Sequence, residues 1–206
     1  MKWLATVALG LGILSLLFFR VDNFAPTFPE PVLVTSGERQ GSGVPVEEGV
    51  LSSAHVVTMP IWSINITSHG WGYLLFGEPD TNRDWVLLDH DPGYYAKTYC
   101  GELQEGDEVV AKGYVGLGNA YVRIRTEGTV STPDIGDTGS FSHTVGMDLG
   151  VSPGMSGGPV YNADGKLVGL IAALTTMPGS NIALVTRLPQ EVCHPPNHWG
   201  DVRAMS

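Results

Sequence analysis

Gly154-Met155-Ser156-Gly157-Gly158-Pro159 sets one serine on a glycine-flanked turn, with the strand-like runs Phe141–Met147 before it and Pro159–Tyr161 and Lys166–Ala173 after it. A serine hydroxyl is a weak nucleophile until a base takes its proton and hydrogen-bond donors receive the oxyanion that forms. Glycines beside it let the backbone turn sharply, so that N–H groups can be aimed at a substrate carbonyl. The plain alternative is a Gly-rich hairpin with a solvated serine. The choice depends on whether the rest of the chain supplies partners.

Outward from this turn the chain reads as short β-rich runs broken by Gly, Asp, Asn and Pro. Further candidate strands are Val32–Thr35, Gly43–Val46, Gly49–Ser53, Ile61–Thr67, Trp71–Phe76, Trp85–Leu88, Glu108–Lys112, Tyr121–Val130 and Ile182–Thr186. After residue 20 only Leu188–Cys193 suggests a helix, and a short one. The 27 Gly and 14 Pro are spread through the 206 residues, which fits many turns, and a hydrophobic content of 43% can fill a core. The pattern implies an all-β fold, either a sandwich or two small barrels sharing an interface.

Leu4 to Phe19 carries no charge, with Lys2 before it and Arg20 after it. Residues 1–24 are therefore expected to form an N-terminal hydrophobic helix that contacts the membrane. Asn23 and Pro26 around Ala25 make a poor cleavage site, which favours an uncleaved anchor over a cleaved signal; a buried core helix is the weaker alternative. The amino terminus and Lys2 should stay inside, leaving the domain membrane-anchored or secreted on the non-cytoplasmic side. Phe24 to Pro31 contains Pro26, Pro29 and Pro31 and reads as a stiff spacer, so that 25–38 would hold the spacer and first strand, 39–190 the main domain and 191–206 a tail. Cys100 and Cys193 are compatible with either a disulfide or two free thiols. A net charge of −10 without a basic patch argues against nucleic acid as a partner. Pro195 and Pro196 between His194 and His198 prevent a helical ligand pair with Cys193, so neither a metal nor another cofactor is expected.

A serine nucleophile needs an imidazole, and the imidazole needs a carboxylate behind it. His55 follows the strand-like Gly49–Ser53 and small Ala54, where a ring can be held in one orientation. Taken alone, such a histidine is more often structural. His69, His90 and His143 lie among turn or polar residues. Asp84 directly precedes the apolar run Trp85–Leu88, where a carboxylate is costly to bury unless paired. Asp80, Asp89 and Asp91 read as solvated turn residues, and Asp148, near the serine turn, is a second candidate.

The order His55, Asp84, Ser156 resembles that of the chymotrypsin-type proteases, with spacings of 29 and 72 residues. In detail the chain resembles the protease domain of the HtrA/Deg trypsin-like group. Gly41-Ser42-Gly43-Val44 and Gly49-Val50-Leu51-Ser52-Ser53-Ala54-His55-Val56-Val57 are similar to its opening strands and histidine motif. Arg83–Leu88 is similar to its aspartate strand, Leu103–Ala111 to the start of its second barrel, Asp148–Val160 to its serine loop and Gly165–Ile171 to the hairpin that follows. The likeness covers about residues 40 to 190.

The resemblance implies two six-stranded Greek-key barrels, about 32–95 and 98–190, and a serine endopeptidase acting on polypeptide substrates. It assigns His55, Asp84 and Ser156 to a catalytic triad, the N–H groups of Gly154 and Ser156 to an oxyanion hole, and Gly150 with Ile171, Ala172 and Ala173 to the specificity pocket. With no acid at Gly150, small or medium apolar residues are expected before the scissile bond. The chain stops near residue 206, so the group's PDZ domain is expected to be absent; the oligomeric state is not readable. Met155 stands where trypsin-type zymogens carry an acid, and Trp85 is bulkier than usual. Two rivals remain: a catalytically inactive trypsin-like fold serving as a binding module, and an α/β-hydrolase, which would need histidine after serine and long helices.

Overall fold

A computed structural model describes residues 27–57, 64–66, 70–71, 73–74, 80–91, 93–136, 142–177 and 180–194. The hydrophobic stretch Leu4–Phe19 lies outside them. Among the described residues no helix is long and apolar enough to cross a membrane.

The described residues form thirteen strands, in order β1 Val32–Ser36, β2 Arg39–Val46, β3 Gly49–Ser52, β4 Ile64–Ile66, β5 Gly70–Trp71, β6 Tyr73–Leu74, β7 Val86–Asp89, β8 Glu108–Leu117, β9 Ala120–Gly136, β10 Thr144–Asp148, β11 Pro159–Asn162, β12 Leu167–Met177 and β13 Ser180–Arg187. A 3₁₀ turn spans Ala54–Val56, and one helix, α1, spans Gln190–Cys193. The second half forms a closed six-stranded barrel, β10-β13-β12-β11-β8-β9. The first half forms a seven-stranded sheet, β5-β4-β1-β2-β3-β7-β6, whose closure is not among the described pairings. The expected all-β architecture and the second barrel are thus present.

Period-2 alternation explains how the halves pack. In β3 and β7, Val50, Val86 and Leu88 turn into one core with Val32, Val34, Val56 and Ile66. Their neighbours Leu51 and Leu87 turn the other way and meet Tyr161, Leu167 and Leu170 of the barrel. Strands of the first sheet therefore serve its own core on one face and the interface on the other. Burying Leu51, Leu87 and Leu170, each at most 3% exposed, contributes about 2 kcal/mol apiece. The barrel interior holds Val109, Ala111, Val145, Met147, Met155, Val160 and Val185.

Three features go beyond the expected layout. The hairpin β8–β9 is longer than its apolar runs suggested: pairing continues from Glu108↔Thr129 to Leu117↔Ala120 and closes on Gly118-Asn119, with Gly118 at φ +62°. Cys100 and Cys193 are joined by a disulfide, which ties α1 to the start of the second half. Finally, Phe28–Glu30, within the stretch read as a spacer, is docked on the barrel. The Tyr161 hydroxyl donates to the Pro29 carbonyl (2.9 Å), and Lys112 Nζ donates to the Phe28 carbonyl (2.6 Å) and to Glu30 Oε1 (2.8 Å). Phe28 packs edge-on to Tyr161, and burial pushes that phenol's pKa up.

Candidate active site

His55 lies in the 3₁₀ turn that follows β3, so the buried strand fixes its backbone. Asp84 ends the turn Asp80–Asp84. Asp80 and Trp85 exchange two backbone hydrogen bonds of 3.1 Å, and Asp80 Oδ1 accepts from the N–H groups of Asn82 (3.0 Å) and Arg83 (2.9 Å). This turn leaves Asp84 at φ +53°, a left-handed conformation that Asp tolerates better than most residues. The carboxylate is carried inward and is 2% exposed, against 39% for the His55 side chain.

Asp84 and His55 meet at three points. Asp84 Oδ1 accepts from the His55 backbone N–H at 3.0 Å. The imidazole Nδ1 lies 2.9 Å from each carboxylate oxygen. A carboxylate so placed selects the tautomer with hydrogen on Nδ1 and turns Nε2 away from itself. Asp148, the other candidate, is exposed at the end of β10, and no described hydrogen bond joins it to His55. Asp80, read as a solvated turn residue, proves to organise the turn that presents Asp84; its D-x-N-R spacing was the available signal.

The serine loop is pinned to both halves through backbone. The Ser42 N–H of β2 donates to the Ser156 carbonyl (2.7 Å), and Ser42 Oγ donates to the Gly154 carbonyl (2.9 Å). The Gly157 N–H donates to the Ile171 carbonyl (2.7 Å), which also accepts from Ser53 Oγ (3.1 Å). At Gly157, with φ +79°, a Cβ would lie 2.5 Å from Ser52 Oγ and 2.7 Å from Ser53 N, so only glycine lets the loop sit this close to the segment that carries His55. The Met155 side chain, fully buried in the barrel core, anchors the loop from below. The contacts that hold the loop use its backbone and the Met155 side chain, and Ser156 itself is partly exposed.

The loop's N–H groups divide into two sets. Met155 donates to Ser152, Gly157 to Ile171 and Gly158 to Met155. Among the described residues the N–H groups of Gly154 and Ser156 have no protein acceptor. Gly154 has φ +97°, a conformation that glycine alone adopts without strain.

Around the expected pocket the structure separates the residues by role. Gly150 is exposed, and a Cβ there would meet only Thr126 Cγ2 at 3.8 Å. Ile171 turns its side chain into the barrel core and uses its backbone to hold the serine loop. Ala172 is buried at a break in the β12–β13 register, and Ala173 is partly exposed beside it.

A family profile for the trypsin-like peptidase domain matches residues 41–170. The chain belongs to the trypsin-like peptidase family. Within the family its relatives are of the DegP/HtrA kind. The chain is 37% identical over 158 residues to a probable periplasmic serine endoprotease, DegP-like, of Bartonella henselae, covering 68% of this chain and 30% of the relative. It is 28% identical over 169 residues to the DegP-like protein of Brucella suis biovar 1, covering 73% and 30%. It thus spans under a third of the length of these relatives.

Solved structures share the chain's fold. The active form of Rv3671c protease from M. tuberculosis aligns with TM-score 0.61 at 18% identity, covering 81% of this chain and 79% of that one. The HtrA-type protease AlgW with a decapeptide aligns with TM-score 0.58 at 23% identity, covering 75% and 52%.

Proposed function

We propose that the chain is a serine endopeptidase. Ser156 Oγ attacks the peptide carbonyl, and His55 Nε2 takes its proton. The oxyanion is received by the N–H groups of Gly154 and Ser156. Collapse breaks the C–N bond, and His55 returns the proton to the leaving amine. Water then repeats the sequence on the acyl-enzyme. Asp84 holds Nδ1–H throughout and stabilises the imidazolium.

The observation that carries this reading is the Asp84 carboxylate on His55 Nδ1, together with a Ser156 loop whose backbone is bonded to Ser42 of β2 and Ile171 of β12. The two N–H groups left without protein acceptors support the oxyanion role. Gly150, Ala172 and Ala173 are assigned to the specificity pocket and select small or medium apolar side chains. Leu4–Phe19 is assigned to a membrane anchor. The protease domain is assigned to the non-cytoplasmic side, in keeping with relatives named as periplasmic.

Incubating the full chain with a peptide library tests this reading. Cleavage after small or medium apolar residues, absent from Ser156→Ala, is expected. Cleavage that survives Ser156→Ala, or none by the parent chain, would overturn it.

A further inference from the structure

The β8–β9 hairpin outgrows the barrel. Its inner part is paired on both outer edges, β8 with β11 through Val109–Ala111 and β9 with β10 from Thr129 onward. Residues 116–123 are all exposed, and Leu117, Tyr121 and Val122 are 60%, 49% and 42% exposed. Cross-strand partners share a face. Val115↔Val122 and Leu117↔Ala120 therefore share an apolar face, which packs on the barrel core at Val115 and is exposed at Leu117 and Val122, and Gly116↔Tyr121 and Tyr114↔Arg123 give the other an aromatic character.

The charge pattern of this hairpin is unlike the rest of the chain. From Lys112 to Thr126 it has three cations and no acid, in a protein of net charge −10. Gly113 to Val122 carries no charge at all, and Arg123 and Arg125 stand at its base, 56% and 48% exposed. An uncharged tip above a basic collar, with tyrosine at the junction, suits a water–lipid boundary.

The N-terminal strap ends at the same place. Glu30 bridges Lys112 (2.8 Å) and Arg123 (3.1 Å), and the Arg125 guanidinium sits over the Phe28 ring, 5.4 Å from its centroid. Eight residues separate Arg20 from Phe28 (28 − 20), so the chain between them spans at most about 28 Å. Whatever holds Leu4–Phe19 is thus kept close to the hairpin base.

We propose that the exposed hairpin tip, Gly116–Val122, docks into the surface of a phospholipid bilayer. Leu117, Tyr121 and Val122 enter the headgroup–acyl boundary, and Arg123 and Arg125 face lipid phosphates with the donors their ion pairs leave over. From the Arg123 rung to the turn is about 10 Å at ~3.3 Å per residue, which matches the depth of interfacial insertion. The same hairpin borders the serine loop, since a Cβ on Gly154 would lie 2.7 Å from the Tyr114 carbonyl. Docking therefore holds the active site at the membrane surface, facing the membrane-proximal segments of other proteins. This inference rests on the anchor assignment made above.

The test places a nitroxide on Leu117→Cys, and separately on Glu105→Cys in the turn that precedes β8, in the chain that also carries Ser156→Ala. Each is mixed with phosphatidylcholine–phosphatidylglycerol vesicles and followed by flotation and by collision with oxygen and with a water-soluble nickel chelate. Oxygen collisions should exceed nickel collisions at 117, and the order should reverse at 105. A chain that floats while its label at 117 stays nickel-accessible overturns the docking alone. A chain that does not float overturns both docking and anchor. A label at 117 that stays aqueous with vesicles but is immobilised by added peptide assigns the tip to substrate instead. Because Ser156→Ala is present throughout, none of these results depends on hydrolysis.

Discussion

Asp84 grips His55 twice, through the backbone N–H at 3.0 Å and through Nδ1 at 2.9 Å, so one buried carboxylate sets both the position of the residue and the tautomer of its ring. Asp84→Asn separates these duties. Asparagine tolerates φ +53° and can still accept from the backbone N–H, but its amide no longer enforces hydrogen on Nδ1. The expected result is a loss of about 10⁴ in kcat, the scale of an imidazole held in the wrong tautomer, with the thermal midpoint almost unmoved. Peptide hydrolysis and a melting curve on the same preparation check this.

Asp80 acts one step further back. Asp80→Ala removes acceptors from the N–H groups of Asn82 and Arg83, loosening the turn that carries Asp84. A cost of about 1 kcal/mol in stability is expected. Because Asp80 is a positioning residue, kcat should fall with KM little changed, and Asp80→Asn should restore most of it. Recovery by Asp80→Asn would not follow if the side chain merely kept the surface soluble.

Two glycines in one loop region should respond in opposite ways. Gly157→Ala forces a Cβ against Ser52 and Ser53 at a positive φ, and should cost about 3 kcal/mol or more along with activity. Gly150→Ala meets only Thr126 Cγ2 at 3.8 Å and should change stability by less than about 0.5 kcal/mol. It should instead shift cleavage toward smaller residues before the scissile bond. Denaturant titration and substrate profiling of the two variants read both effects.

Much of this site was legible because its parts are local. The glycine pattern around Ser156, the small residue before His55 and the apolar run after Asp84 each mark a backbone constraint within a few residues. What was not legible depends on contacts between distant segments. Nothing near Phe28 announces that Lys112, 84 residues away, will donate to its carbonyl. The Cys100–Cys193 pairing spans 93 residues and is set only once α1 has packed. The outer half of the β8–β9 hairpin hides in glycines and an Asn that resemble a loop, until register with the inner rungs extends it.

The strap gives a prediction of its own. Lys112 is 10% exposed at the side chain, and its ammonium donates to two groups of the strap, the Phe28 carbonyl and Glu30 Oε1. Glu30→Gln leaves that ammonium without its carboxylate and should lower stability by about 2 kcal/mol. Guanidinium unfolding of parent and variant at equal ionic strength measures the difference.

The disulfide closes a long loop. Replacing both Cys100 and Cys193 with serine should destabilise the fold by up to about 4–5 kcal/mol, the loop-closure entropy expected for a 93-residue separation. The midpoint of unfolding should fall, and dithiothreitol should produce the same fall in the parent chain while leaving the double variant unchanged.

The central claim is that Ser156 is a nucleophile activated by His55. Intact-mass spectrometry after exposure to a fluorophosphonate measures it most directly. The account predicts a single adduct, mapped to Ser156, that disappears in Ser156→Ala and forms far more slowly in His55→Ala. An unmodified parent chain, or an adduct that persists at full rate without the imidazole, would contradict it.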